Sequence, residues 1–295
     1  MKTPEPTLVV TGASGHFGGA VMHHLINTFG VAPSRITAVS RDPAKLATWA
    51  SRGVKTVRGD FDDAESLQPA FAGAGRLLII STDDLAPGKR LAQHLRAVAA
   101  AKAAHVGHVF YTSMLHPEPG SPVPFAPDHW GTEQALAASG MTVTVLRNNW
   151  YIENLMFALP DALKAGKWYV ASGDHRVSYI ARDDAARAAA GALATTDALD
   201  TIYEIVGSHA VTPAEIAALA SEASGKPLEV VNVTPAQLKS GMEAAGVPAP
   251  MIPMFVSFEI HNQKGFGSMV NDAVRHLGGA KPRDISVVLP QLLRA

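Results

Sequence analysis

Three glycines at a fixed spacing set the strongest limit on how this chain folds. Gly12, Gly15 and Gly18 fall within Thr11-Gly12-Ala13-Ser14-Gly15-His16-Phe17-Gly18, between the apolar run Leu8-Val9-Val10 and the helical run Ala20-Val21-Met22-His23-His24-Leu25. An apolar strand that turns at once into a helix needs a residue free to take unusual backbone angles, and Gly12 supplies it. Gly15 leaves space for a pyrophosphate to approach backbone N–H groups, and Gly18 lets the helix pack close to the strand. The helix N-terminus adds positive potential. Read this way, Gly12, Ala13, Ser14, Gly15, His16, Phe17 and Gly18 form a dinucleotide phosphate site. The plainer alternative is a glycine-rich turn that binds nothing.

The rest of the first half repeats the alternation of apolar runs and amphipathic segments. Strands are expected near residues 7–11, 35–40, 54–58, 76–81, 107–112 and 141–147, with helices between, giving five βα units. Continuous apolar runs suit strands covered on both faces, so the expected class is α/β, a Rossmann-type doubly wound parallel sheet. Gly53, Gly75, Gly107 and Gly140 stand where helices hand over to strands, and left-handed helix ends are expected there. After residue 147 the pattern becomes irregular and richer in proline, methionine and aromatic residues. This predicts a smaller, interleaved α/β substrate-binding region towards the C-terminus. The dinucleotide domain is placed at 1–147, completed by 175–207, and the substrate region at 148–174 and 208–295. Thr212-Pro213-Ala214-Glu215 and Thr234-Pro235-Ala236-Gln237 read as capping boxes.

Composition narrows the partners. With 17% charged residues and a net charge of −1, no global field favours nucleic acid or an anionic membrane. The absence of cysteine removes thiol chemistry and thiolate metal sites. Twelve histidines show no His-Glu-x-x-His spacing, and no metal site is expected. Ser14 does not sit in a Gly-x-Ser-x-Gly elbow, so a serine hydrolase is unsupported. The apolar start breaks at the glycine turn, which argues against a signal peptide. The expectation is a cytoplasmic monomer or homodimer acting on a small apolar or aromatic molecule.

The second strand is expected to end at Ser40-Arg41, where an acidic residue would serve the two ribose hydroxyls of NAD. An arginine there instead meets a 2′-phosphate bidentately and favours NADP(H), with NAD(H) as a weaker second cofactor. The bland reading of Arg41 is a solvated side chain before the cap Asp42-Pro43. Asp60 and Phe61, after the third strand, are read as flanking the adenine, or Asp60 as a helix cap.

With these residues in view, the chain resembles the NmrA-like branch of the atypical short-chain dehydrogenases, and within it the type 2 NAD(P)H:quinone oxidoreductases. The resemblance rests on the glycine turn, Ser40 to Lys45, Gly59-Asp60-Phe61, Leu77 to Ser81, Tyr111-Thr112-Ser113, His129 to Glu133 and Leu146 to Asn154. It implies that Ser81, Thr82, Thr112, Asn148, Asn149, Trp150 and Tyr151 run along the cofactor. Asn148 or Asn149 would hold the nicotinamide carboxamide, while Trp150 and Tyr151 would enter the substrate cleft. Typical short-chain dehydrogenases pair a serine with Tyr-x-x-x-Lys, whose lysine lowers the tyrosine pKa. Here Ser113 is present, but His129-Trp130-Gly131-Thr132-Glu133 puts histidine for tyrosine and glutamate for lysine.

That departure disfavours simple ketones, whose reduction needs a strong acid, and leaves quinones, whose product is a delocalised aryloxide. Tyr151, His129, His116 and Ser113 are the catalytic candidates. Against them, Tyr151 can equally be a core residue, His129 and Glu133 a surface pair, and Met251 to Phe255 either an apolar lid or packing. The implied activity is NADPH-dependent hydride transfer to a quinone-like or other apolar conjugated acceptor. The alternative is an NADP(H)-sensing regulator without turnover. Replacing Arg41 tests the cofactor assignment: Arg41→Ala should lower NADPH affinity by about 1.5–3 kcal/mol and leave NADH nearly unchanged in calorimetric titrations. Equal losses for both would refute it.

Overall fold

The computed structural model describes residues 5–86, 88–199 and 201–294. Its strands are β1 (Leu8–Val10), β2 (Ile36–Ser40), β3 (Lys55–Arg58), β4 (Arg76–Ile79), β5 (His108–Met114), β6 (Thr142–Asn148), β7 (Lys167–Val170), β8 (Ile202–Ile205) and β9 (Glu229–Asn232). Seven of them make one sheet in the order β3-β2-β1-β4-β5-β6-β8, and every pairing in it is parallel. The six strands expected from the sequence are all present. β7 and β9 pair in a separate two-stranded sheet.

The helices are α1 (His16–Asn27), α2 (Ala47–Ala50), α3 (Ala64–Phe71), α4 (Lys89–Ala103), α5 (Ala126–Ala137) and α6 (Leu159–Ala165). They continue as α7 (Arg182–Ala194), α8 (Pro213–Ser224), α9 (Pro235–Ala244), α10 (Ile252–Gln263), α11 (Ala273–Gly278) and α12 (Ile285–Arg294). None among the described residues is long and apolar enough to cross a membrane.

Side chains alternate across a strand, and here both faces are covered. Leu8, Val10, Leu78, Phe110 and Leu146 pack against Met22 and Leu25 of α1 and the alanines of α7. Their neighbours Val9, Leu77, Ile79, Val109 and Val145 pack the other way, onto Leu67, Phe71, Ala97, Ala101 and Leu136 of α3, α4 and α5. Two covered faces explain the unbroken apolar runs. β3, at one edge of the sheet, departs from this, with Lys55 and Arg58 exposed.

A third core gathers Ile152, Leu159, Trp168, Ile216 and Leu289 around the small sheet. The chain leaves the large sheet after β6, contributes β7, and returns to pair β8 with β6. Both capping boxes form, with the Thr212 hydroxyl accepting from Glu215 N–H and that of Thr234 from Gln237 N–H.

The four helix-to-strand glycines divide into two kinds. Gly53 and Gly140 have φ of +89° and +77°, as expected of left-handed ends. Gly75 and Gly107 do not, which corrects the expectation; the left-handed positions nearby are Gly73 and His105. These two glycines are instead places of close approach. A Cβ on Gly75 would lie 2.4 Å from Pro6 Cβ, and one on Gly107 would lie 2.8 Å from the Gly75 carbonyl oxygen.

Gly191, inside α7, is held by the same kind of constraint, because its Cβ would fall 1.9 Å from the Leu277 carbonyl oxygen of α11. Alanine in a helix interior ordinarily gains about 0.5–1 kcal/mol over glycine. Gly191→Ala should instead destabilise by about 1–3 kcal/mol through overpacking. A chemical denaturation midpoint that rises would show that α7 and α11 are not in contact there.

Candidate active site

In an open parallel sheet, ligands bind outside the carboxyl ends of the strands where the strand order reverses. That point is β1, between β2 and β4, and the glycine turn lies there. Gly12 takes φ +59°. Thr11 pins the turn to β4: its hydroxyl donates to Leu78 O (3.1 Å) and accepts from Ile80 N–H (2.9 Å). Ala13 N–H donates to Val39 O of β2 at 3.1 Å, and Gly15 N–H returns to Gly12 O at 2.9 Å.

α1 then begins at His16, with no side chain capping it. The N–H groups of His16, Phe17 and Gly18 have no acceptor among the described residues. Such orphaned donors at a helix N-terminus fit a phosphate. The glycines differ in what they exclude. A Cβ on Gly18 would sit 2.2 Å from Gly12 O, inside the turn itself, whereas one on Gly15 would touch only Gly12 O, at 3.4 Å.

The Ser14 and Ser40 hydroxyls are 2.8 Å apart, which ties the turn to the residue before Arg41. Arg41 is exposed and has no protein partner among the described residues. Asp60 closes a local turn, its carboxylate accepting from Asp62 N–H at 3.0 Å. Phe61 is buried with Leu67 and Phe71 in the core. Thr82 N–H donates to His94 Nε2 at 3.0 Å.

A cavity of about 240 Å³ opens beside the turn, over the ends of β4, β5 and β6. It brings together Phe17, Ser81, Thr112, Ser113, His129, Asn148, Asn149, Trp150 and Tyr151 of the expected residues. His116 is not in its lining; it takes φ +48° and stacks on Phe266 at 4.4 Å.

Polar groups in the cavity wall are mostly committed to protein partners. The Ser113 hydroxyl donates to Glu133 Oε1 at 2.6 Å. Arg147 grips the same carboxylate, Nε to Oε1 at 3.1 Å and Nη2 to Oε2 at 2.6 Å, and its Nη1 reaches Glu118 at 2.7 Å. A hydrogen bond to a charged carboxylate outweighs one to a neutral carbonyl, so Ser113 turns lone pairs to the cavity. His129 is equally occupied. Arg90, a donor only, lies 3.4 Å from Nε2, which puts the ring proton on Nδ1, 2.8 Å from the Tyr111 hydroxyl. Burial and the Arg90 charge hold His129 well below the usual 6.5 and bring His94 down to about 3, so both are neutral near pH 7.

Asn149 donates to Ser178 O, Ser178 Oγ and Gly267 O, each at 2.9 Å, and accepts from Trp150 N–H at 2.8 Å. Tyr151 differs. Its hydroxyl accepts from Asn148 Nδ2 at 3.0 Å and keeps its own proton for the cavity. Burial raises its pKa above the ordinary value of 10, opposed by the Arg182 guanidinium 5.2 Å over its ring. The ring stacks on Phe17 at 6.3 Å.

The surface-pair reading of His129 and Glu133 is therefore corrected. They are 4% and 6% exposed, because the face of α5 that carries them packs on β5 and β6, where Tyr111 and Arg147 supply partners. Arg147, Arg90, His94 and Arg182 escaped sequence reasoning. Only Arg147 left a signal: a charge ending an apolar strand buried on both faces needs a buried partner.

A family model described as NmrA-like family matches residues 4–286. The chain belongs to the NmrA-like family. Among relatives, this family member is 35% identical to quinone oxidoreductase 2 of Escherichia coli (strain K12) over 258 residues, 88% of each chain. It also superposes on the NADPH complex of an E. coli NADPH-dependent quinone oxidoreductase with TM-score 0.90 and 32% identity, covering 97% of this chain and 99% of that one. The Citrobacter sp. triphenylmethane reductase complexed with NADP(H) gives TM-score 0.86 and 32% identity over 97% and 99%.

The unequal space around the two glycines separates binding from folding in this NmrA-like turn. Gly15→Val should keep native circular dichroism and lose affinity for NADPH and NADH alike, while Gly18→Ala should disturb the turn itself and lower the melting temperature. A folded Gly15→Val protein that still binds either cofactor would remove the turn as the phosphate site.

Proposed function

We propose that the protein is an NADPH-dependent oxidoreductase that reduces a quinone or another apolar conjugated acceptor. The observation that carries this reading is the cavity in which Phe17, from the phosphate turn, meets Ser113, Trp150 and Tyr151. The relatives described above, which include quinone and triphenylmethane reductases with NADPH or NADP(H), support the same reading. In this reading the orphaned N–H groups of His16 to Gly18 hold the pyrophosphate and Arg41 takes the 2′-phosphate. NADPH bound there supplies the hydride.

The chain contributes orientation, exclusion of water and one proton. Trp150 and Met114 give the acceptor an apolar wall. Tyr151 is the proton donor, since Ser113 and His129 have theirs engaged. A phenol with a raised pKa is a weak acid. Its hydrogen bond is enough where hydride addition gives an aryloxide that spreads its own charge, whereas addition to a simple ketone has to build a localised alkoxide and needs a stronger acid to assist it.

Quinones should therefore oxidise NADPH on this enzyme and aliphatic ketones should not. Tyr151→Phe should lower quinone kcat by about 10–100-fold, and His129→Ala by less than the roughly 10²–10⁴-fold typical of losing an essential acid. Because His129 is held neutral and Tyr151 protonated, turnover should stay flat from about pH 6 to 8 and fall only as pH rises beyond about 10. Binding of NADPH without oxidation by any acceptor in the panel would favour a sensing role instead.

A further inference from the structure

Trp150, one wall of the cavity, is the inner end of a row of aromatic rings that leads to the surface. Its ring lies 4.5 Å from Phe258, Phe258 lies 6.4 Å from Phe255, and Phe255 lies 6.3 Å from Phe157. Phe255 and Phe258 are three apart on α10 and so share one face of it. Both are half-buried, while Phe157, at the outer end, is 71% exposed. Trp150 and Phe258 also pack on the buried Met114, Val123 and Ala126, but that core does not include Phe255 or the exposed Phe157.

The cavity itself is about 240 Å³, smaller than the roughly 300–1,000 Å³ of sites that enclose a drug-sized ligand. In the proposed reading the nicotinamide of NADPH shares this space beside Asn148 and Asn149, which leaves room for a reacting ring and little more. Any substituent on that ring has to leave the cavity, and the row starting at Trp150 offers it a continuous apolar path. We propose that the row Phe258, Phe255 and Phe157 is a subsite for an apolar tail, an alkyl or prenyl chain borne by the acceptor ring. The inference rests on the proposed reductase activity and narrows its substrate class from bare conjugated rings to tailed ones. A flexible hydrocarbon chain suits rings that lie edge to face or tilted to one another, because it needs area and no directed hydrogen bond.

The test uses two acceptors with one head group, a dimethoxy-methyl-benzoquinone without a side chain and the same ring with an n-decyl chain. Their equilibrium binding to the NADP-loaded protein is measured by dialysis, and kcat/KM with NADPH is measured alongside, for the native chain, Phe157→Ser and Phe255→Ala. The native chain should bind the decyl form at least about tenfold more tightly than the bare ring, given an apolar contribution near 25 cal/mol per Å². Each variant should reduce that preference about three- to tenfold, through KM with kcat unchanged, and should leave the bare quinone within about twofold.

A tail preference that survives in both variants would mean non-specific partitioning and would overturn the subsite. So would variants that change the sedimentation coefficient or vesicle binding without changing the tail preference, since the occupant would then be a second copy or a lipid surface. Tail-dependent binding without turnover of either quinone would support the subsite and overturn the reductase reading, so the two failures are distinguishable. Circular dichroism of both variants should remain native.

Discussion

The contact between Gly18 and the Gly12 carbonyl is the constraint on which the site depends. It brings α1 to within backbone distance of the end of β1, closer than any side chain allows. The approach fixes the direction of the helix, and its first N–H groups are left without an acceptor among the described residues. It also sends Phe17 sideways, onto the ring of Tyr151. The turn proposed to hold phosphate and the residue proposed to give the proton are in this way part of one packed unit. Displacement at one end of the cofactor would be felt at the other.

A second constraint is electrical. Glu133 and Arg147 are both buried, and removing such charges from water is expensive unless each finds its partner. The pair is satisfied by geometry, with two contacts from the guanidinium and a third from Ser113. Satisfying the carboxylate takes the serine proton away from the cavity. Arg90 does the same to His129 from the other side. A site that superficially keeps a short-chain dehydrogenase serine thus has its donor capacity moved to the phenol of Tyr151, on a different segment.

Much of this was legible in the sequence, and for identifiable reasons. Apart from β3, the strands of the nucleotide part are short and apolar on both faces, so their positions follow from the sequence pattern, as do the glycine turn and the two capping boxes. The cavity lining at Ser81, Thr112, Ser113 and Asn148 to Tyr151 was legible through the family resemblance, and these residues lie at or just past strand ends. What could not be read was long-range pairing. Nothing in the spacing of His129 and Glu133 says that α5 turns them inward, and nothing in the surroundings of Arg90 or His94 announces a shared network with Tyr111. Gly75 and Gly107 misled because a glycine needed for closeness looks, in sequence, like one needed for a left-handed turn.

The excursion between β6 and β8 bears on how the chain comes to be folded at all. Val145 faces Ile202 across the last parallel pairing of the sheet, and the intervening chain contributes to another core. Closing so long a loop is entropically slow, and until it closes β6 presents an open hydrogen-bonding edge. On a ribosome that edge would emerge well before its cover. The segment Asn148 to Tyr151 lies at the end of that edge, with Asn149 N–H donating to Ile205 O, so this wall of the cavity is held by the same pairing that closes the sheet. An intermediate stalled before it would have its phosphate turn in place and would lack the strand that closes the sheet beside the acceptor wall.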